Sequence, residues 1–172
     1  MSTTEKPLVN RVAKSPLITL NLENYYPTQA IQELDLKQFL FKELILKEKD
    51  FREAVAEFDW SAYEGHVICI ICSADAIIPV WAYMLVASEA EGHARDVFWG
   101  SEQEYIRYYY RTFIDAFDVS PYEDKMIVIK GCSGKPVPAS AYLDLTRKLR
   151  PIVKSVMYGE PCSTVPIYKK KK

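Results

Sequence analysis

Two stretches of this chain repeat one another, and the repeat restricts the fold more than any other feature of the sequence. The first runs Asp59-Trp-Ser-Ala-Tyr-Glu-Gly-His-Val-Ile-Cys-Ile-Ile-Cys-Ser73 and continues Ala-Asp-Ala-Ile-Ile-Pro-Val-Trp-Ala-Tyr83. The second runs Asp118-Val-Ser-Pro-Tyr-Glu-Asp-Lys-Met-Ile-Val-Ile-Lys-Gly-Cys-Ser133 and continues Gly-Lys-Pro-Val-Pro-Ala-Ser-Ala-Tyr142. With one residue inserted in the second copy's strand-end turn and one fewer after it, Asp, Ser, Tyr, Glu, Cys, Ser, Pro, Ala and Tyr coincide. Each copy reads as a turn, a buried strand, a Cys-Ser at the strand's carboxyl end and a helix entered through proline. Chance similarity between two strand-turn-helix units is the competing explanation.

The rest of the chain fits an alternation of strands and helices. Leu17–Leu22 alternates and reads as a strand, closed by Tyr25-Tyr-Pro27. Leu34 to Leu46 is mixed, with Leu36, Phe39, Leu40 and Leu44 at helical spacing. Lys49–Phe58 reads as a helix with Phe51, Val55 and Phe58 on one face. Val67–Ile71 then reads as a buried strand, Ile77–Ala90 as a helix and Asp96–Trp99 as a short strand. Glu102–Phe117 follows as a helix and Met126–Lys130 as a strand, and Pro138–Met157 as a helix interrupted at Pro151. This pattern predicts an α/β fold with helices on both faces of a mostly parallel sheet. The 172 residues suffice for one core. The expected organisation is a loose segment over 1–14, a single α/β domain over 15–168 and a basic tail over 169–172.

Charge and hydropathy exclude several classes of partner. Lys plus Arg number 22 against 23 Asp plus Glu, so a net charge of −1 gives no reason to expect nucleic acid. The four lysines that end the chain read as a solvated tail. The opening Met1-Ser-Thr-Thr-Glu-Lys-Pro carries no apolar signal stretch. The apolar runs Val67–Cys72 and Ala76–Ala87 are too short or too interrupted to span a bilayer. The expectation is a cytoplasmic protein without a membrane partner, whose four cysteines meet a reducing environment.

Three of those cysteines precede serine, each with a proline within a few residues: Cys72…Pro79, Cys132…Pro136 and Cys162…Pro166. In open α/β sheets, ligands bind outside the carboxyl ends of the strands, where the repeat places Cys72 and Cys132. Turns of this kind can direct backbone N–H groups at thiolate sulfur and stabilise its charge. Cys72, Cys132 and Cys162 are therefore the candidate ligands of a zinc ion or an iron–sulfur cluster, with Asp75 as a fourth ligand. Ser73, Ser133, Ser163 and Lys135 are the candidate lining residues, and the Lys135 ammonium next to Cys132 would favour its thiolate. Three unrelated cysteines in turns would give the same pattern, and the spacing matches no standard zinc-finger or ferredoxin arrangement. A helix through residues 138–157 also raises a geometric objection, because Cys162 would emerge at the edge of the sheet opposite Cys72 and Cys132. A chain redirected at Pro151, or a tail crossing to a second subunit of a homodimer, would bring it back.

Other features carry less. Cys69 and Cys72 spell C-x-x-C, but Cys69 lies inside a strand, where an odd separation points the two side chains to opposite faces. His66 begins the strand that Cys72 ends, and His93 follows a helix end on that same remote edge, so a Cys-His dyad is not expected. Tyr105-Ile-Arg-Tyr-Tyr-Tyr-Arg111 reads as core packing or a subunit contact. Trp81 and Tyr83 read as anchors of a helix on the sheet. Two further function classes fit the cysteines: an enzyme using one of them as nucleophile in sulfur or acyl transfer, and a binding scaffold in which they are structural.

Motifs spread over nearly the whole chain, from Val9-Asn-Arg-Val-Ala13 to Gly159-Glu-Pro-Cys-Ser-Thr-Val-Pro166, resemble those of the bacterial domain of unknown function 2480 family. The resemblance rests on Val9-Asn-Arg-Val-Ala13, Lys49-Asp-Phe-Arg52, Cys72-Ser-Ala-Asp-Ala-Ile77 and Trp81-Ala-Tyr-Met84. It extends through Lys130-Gly-Cys-Ser133, Lys135-Pro-Val-Pro138 and Gly159-Glu-Pro-Cys-Ser-Thr-Val-Pro166. The resemblance implies no established activity. It implies an association with iron–sulfur assembly genes, and hence iron–sulfur assembly proteins as partners.

Overall fold

A computed structural model describes residues 17–131, 134–160 and 162–171. The elements, in chain order, are β1 (Leu17–Leu20), β2 (Ile31–Asp35), α1 (Glu48–Ala56), β3 (Val67–Ile71), α2 (Val80–Glu89) and β4 (Asp96–Trp99). They continue with α3 (Glu102–Ala116), β5 (Met126–Ile129), α4 (Ala139–Leu149), β6 (Ser155–Glu160) and β7 (Ser163–Lys169). The protein is α/β with mostly parallel sheets, and its strands divide between two sheets, ordered β2-β3-β4 and β1-β5-β6-β7. The chain forms two compact units, Pro27–Tyr109 and the combination of Met1–Tyr26 with Tyr110–Lys172. Helix α3 runs through the boundary.

In the Pro27–Tyr109 unit the three strands are parallel, and helices cover both faces of the sheet. Leu34, Ile68 and Ile70 point to one face and pack with Phe51 and Val55 of α1 and Ala82, Val86 and Ala90 at the helical spacing of α2. Val67 and Cys69 point to the other and pack with Tyr105 at the start of α3. That helix begins with a capping box: Glu104 Oε2 accepts the Ser101 N–H and hydroxyl, both at 2.8 Å. Helix α1 is held by the buried pair Phe51 and Val55 and by exposed i,i+4 pairs, Glu48 with Arg52 and Lys49 with Glu53.

The second unit repeats this plan. Strand β5 lies between β1 and β6, both parallel to it, as β3 lies between β2 and β4. Ala141, Leu145 and Leu149 of α4 are buried where α2 buries Ala82, Val86 and Ala90. Both helices start after proline, Pro79 and Pro138. Both central strands are preceded by a turn in which an aspartate accepts the N–H two residues on, Asp59 from Ser61 at 3.0 Å and Asp118 from Ser120 at 2.9 Å. Even the next backbone bonds correspond, Gly65 N–H to His93 O at 2.8 Å and Asp124 N–H to Ile152 O at 3.1 Å. The strand-turn-helix repeat is therefore structural, and it extends further than the expected segments.

Three elements differ from the sequence reading. Residues 34–46 form no α-helix: β2 ends at Asp35, a short 3-10 turn follows, and a three-residue turn, with positive φ at Lys42 and Glu43, closes a bridge between Phe41 and Ile45. The helix expected to reach Met157 ends at Leu149, two residues before Pro151, which lacks the N–H that a further turn would use. The following residues are β6, paired with β5, and β7 returns antiparallel to close the sheet edge. Apolar residues at 153, 156 and 157 fit either spacing; their strand identity comes from pairing with β5, which lies far away in sequence.

Candidate functional site

The loop that follows each central strand is held by a carboxylate from the segment at the end of a neighbouring strand, through Ser73 after β3 and through Lys135 after β5. In the Pro27–Tyr109 unit, Asp35 ends β2 beside Ile71. Its carboxylate accepts the Lys37 N–H at 3.0 Å, the Ser73 N–H at 3.0 Å and the Ser73 hydroxyl. Burial pushes the Asp35 carboxyl up, but the Ser73 hydroxyl and the two N–H groups outweigh it and hold the group below its ordinary range. Cys72 is half-buried, with its Sγ 3.7 Å from Ala74 O, and Asp75 is exposed in the same loop. Ser73 thus serves as the clasp between β2 and the loop.

The other unit has the same arrangement with different chemistry. Asn21 stands after β1 as Asp35 stands at the end of β2, and its Oδ1 accepts the Glu23 N–H at 3.1 Å. Glu23 in turn accepts the Lys135 N–H at 2.8 Å, and this bond is the first reason its carboxyl lies below the ordinary range. Lys135 therefore anchors the loop through its backbone, while its ammonium stands 5.3 Å from the centre of the Tyr26 ring. Cys132 and Ser133 lie outside the described residues, immediately after Gly131.

Cys162 comes to this same edge. Because β6 is parallel to β5, with Tyr158 opposite Ile129, both strands leave the sheet at one end. The turn containing Cys162 and the loop beginning at Gly131 therefore start side by side, and the objection raised by a long C-terminal helix falls. Tyr158 donates its hydroxyl to Gly131 O at 3.3 Å, and Lys130 Nζ stands 3.6 Å from Glu160 Oε1. Cys162 is exposed, and Ser163 begins β7 opposite Glu160. Cys162 reaches this edge at the end of β6, which pairs with β5 of the same chain. Cys72 belongs to the other unit.

The discounted groups each have packing or hydrogen-bond partners within the Pro27–Tyr109 unit. Cys69 is fully buried in β3, and burial, followed by the charges of Glu33, Glu102 and Asp96, pushes its thiol up to about 12. His66 Nδ1 pairs with Gln32 Oε1 at 3.0 Å, and His93 Nδ1 with Glu64 Oε2 at 3.3 Å. Among the described residues, no three His, Cys, Asp or Glu side chains converge. No helix among them is long and apolar enough to cross a membrane.

Asp35 and Glu23 escaped the sequence reading, although a signal was present. Leu20-Asn-Leu22 and Leu34-Asp-Leu36 are the same strand end in two copies, each placing a polar acceptor between two buried leucines. Gly100, just after β4, and Gly159, near the end of β6 where the sequence suggests a helix end, have φ of 134° and 121°. Such angles favour glycine.

No curated protein and no solved structure matches the chain. A family model described as a protein of unknown function (DUF2480) matches residues 6–170, nearly the whole length, so the chain belongs to the DUF2480 family.

Proposed function

We propose that the carboxyl edge of the β1-β5-β6-β7 sheet is the working end of the protein, and that Cys132 and Cys162 supply thiolate ligands there for a metal ion or an iron–sulfur cluster. What supports this reading is the parallel course of β5 and β6, which starts the two cysteine-bearing turns side by side. The donor chemistry fits. Cys162 is exposed, and thiolates are the ligands that zinc and iron–sulfur centres take. Glu23 and Tyr158 hold the loop after β5, through Lys135 N–H and Gly131 O. A bound metal would supply a Lewis acid or an electron-transfer group. The family resemblance adds to this reading an accessory role in cluster assembly, in a cytoplasm that keeps the thiols reduced.

Cobalt(II) titration of the reduced full-length protein tests the reading, because cobalt bound to thiolate shows sulfur-to-metal charge-transfer absorption. The expected result is a saturable band that Cys132→Ser and Cys162→Ser each weaken and Cys69→Ser leaves intact. A band equally strong in both variants, or absent from the wild type, would contradict the reading.

A further inference from the structure

The two units follow one plan to the end of their third strands and then diverge. Strand β6 turns at Gly159 and is paired along its outer edge by β7, whereas β4 turns at Gly100 into α3 and, among the described residues, pairs with β3 alone. The registers make the positions equivalent. Asp96, Val97, Phe98 and Trp99 stand against β3 as Ser155, Val156, Met157 and Tyr158 stand against β5. Each third strand also forms an edge-on aromatic pair with the tyrosine that ends the repeat, on the preceding helix. Tyr83 and Trp99 have ring centres 6.2 Å apart at 78°, and Tyr142 and Tyr158 have centres 5.8 Å apart at 83°.

Only one of these pairs has a further strand beside it. Strand β7 brings Ile167 beside Tyr142, Leu143, Thr146 and Tyr158, where they line a groove of about 270 Å³. In the other unit Trp99 is 73% exposed, against 40% for Tyr158, and Val80 and Met84 on α2 are 74% and 67% exposed. Helix α2 reads Val80-Trp-Ala-Tyr-Met-Leu-Val-Ala87, apolar all round, which is the pattern of a helix covered on more than one face.

We propose that β4 and the outer face of α2 receive an extended segment of a partner protein, added antiparallel to β4 as β7 adds to β6, with alternate apolar side chains and a lysine at its carboxyl end. The chemistry of this occupant is read from β7. Val165 stands opposite Tyr158 and Lys169 opposite Ser155, so a strand in the same register sets an apolar side chain at Trp99 and an ammonium at Asp96. The charge is complementary. Asp96 Oδ1 accepts the Val97 N–H at 2.9 Å, a carboxylate cap on the edge that an incoming lysine draws away. In such strand addition the main-chain bonds supply affinity, and the alternate side chains and charges supply specificity. A second copy's β7 is a poor occupant, because it would first have to leave β6, with which it is paired from Ser155 to Glu160.

The test adds a synthetic peptide of residues 163–171, Ser-Thr-Val-Pro-Ile-Tyr-Lys-Lys-Lys, to the full-length protein and follows tryptophan emission. Trp60 is buried and Trp81 half-buried, so Trp99 is the exposed tryptophan whose environment changes, and the peptide contributes none. The expected result is a saturable blue shift that Trp99→Phe abolishes. Asp96→Lys weakens binding about fivefold, and a peptide carrying Lys169→Glu recovers most of that loss. Three results would overturn the proposal: no shift at about 1 mM peptide, equal affinity for wild type and Asp96→Lys, as expected if the peptide displaces β7 from β6, or a wild-type dimer in which Trp99 is already shielded.

Discussion

Tyr158 lays its ring against the backbone of Gly131 and donates its hydroxyl to the Gly131 carbonyl at 3.3 Å, so the two turns of the candidate site are joined at a position with no room for a Cβ. A methyl group on Gly131 would overlap the Tyr158 ring atoms Cζ and Cε2. Gly131→Ala is expected to push the exposed Tyr158 ring aside and break its hydroxyl bond, at a cost of about 1 kcal/mol. In a Tyr158→Ala background the same substitution should cost much less. Urea unfolding of the four proteins measures this coupling, and additive effects would show that the ring and the turn do not meet.

Gly159 has a stricter requirement than Gly65. Both have positive φ, 121° and 70°, but a Cβ at Gly65 meets nothing within 4 Å, whereas one at Gly159 would lie 2.6 Å from Ser163 O. Gly65→Ala should cost about 1 kcal/mol, the left-handed penalty alone. Gly159→Ala should cost more and should also disturb the turn containing Cys162. Thermal unfolding, with amide spectra of residues 159–163, separates the two effects.

Asp35 makes the clasp between β2 and the Cys72 loop sensitive to acid. Its folded-state carboxyl is held below the ordinary aspartate value of about 3.9, burial being outweighed by the Ser73 hydroxyl and the Lys37 and Ser73 N–H groups. A depressed folded value contributes stability that is complete above the unfolded value and is lost as pH falls through the folded one. The contribution should therefore persist at pH 6 and fade below about pH 4. Asp35→Asn should narrow the difference between urea midpoints at pH 6 and pH 3; an unchanged difference would remove Asp35 from the acid response. At neutral pH, Ser73→Ala should cost about 1 kcal/mol for the lost hydroxyl bond.

Thiol reactivity should follow burial rather than the C-x-x-C spelling. In a Cys132→Ser protein, an aromatic disulfide reagent should modify exposed Cys162 first and half-buried Cys72 next. Cys69, fully buried with a thiol pushed up to about 12, should react only on unfolding. Simultaneous modification of Cys69 and Cys72 in native protein would contradict its placement inside β3.

The legible parts of this fold are those whose signal is local. Val67–Ile71 could be read to the residue because five consecutive apolar residues between turns leave little choice, and α3 because its aromatic spacing is sustained beyond a strand's length. The repeat was legible from Asp59 to Tyr83 because turn, strand end and helix entry each demand particular residue types. It was not legible at the first strands, where Leu20-Asn-Leu22 and Leu34-Asp-Leu36 are too short to stand out. Strand β6 was hidden for a different reason. Val153, Val156 and Met157 continue the helical spacing of α4, and only pairing with β5, about 30 residues earlier, makes them a strand. That one misreading put Cys162 at the wrong edge of the sheet. The division of the strands between two sheets is equally non-local, since it depends on β1 pairing with β5 across more than 100 residues.

The most direct measurement is the metal and acid-labile sulfide content of protein purified without oxygen, together with its visible spectrum. A thiolate centre at the β5-β6 edge predicts stoichiometric iron with sulfide, or stoichiometric zinc, falling in both Cys132→Ser and Cys162→Ser while the fold persists. Wild-type protein that is colourless and free of metal, or a metal content unaffected by either substitution, would contradict it.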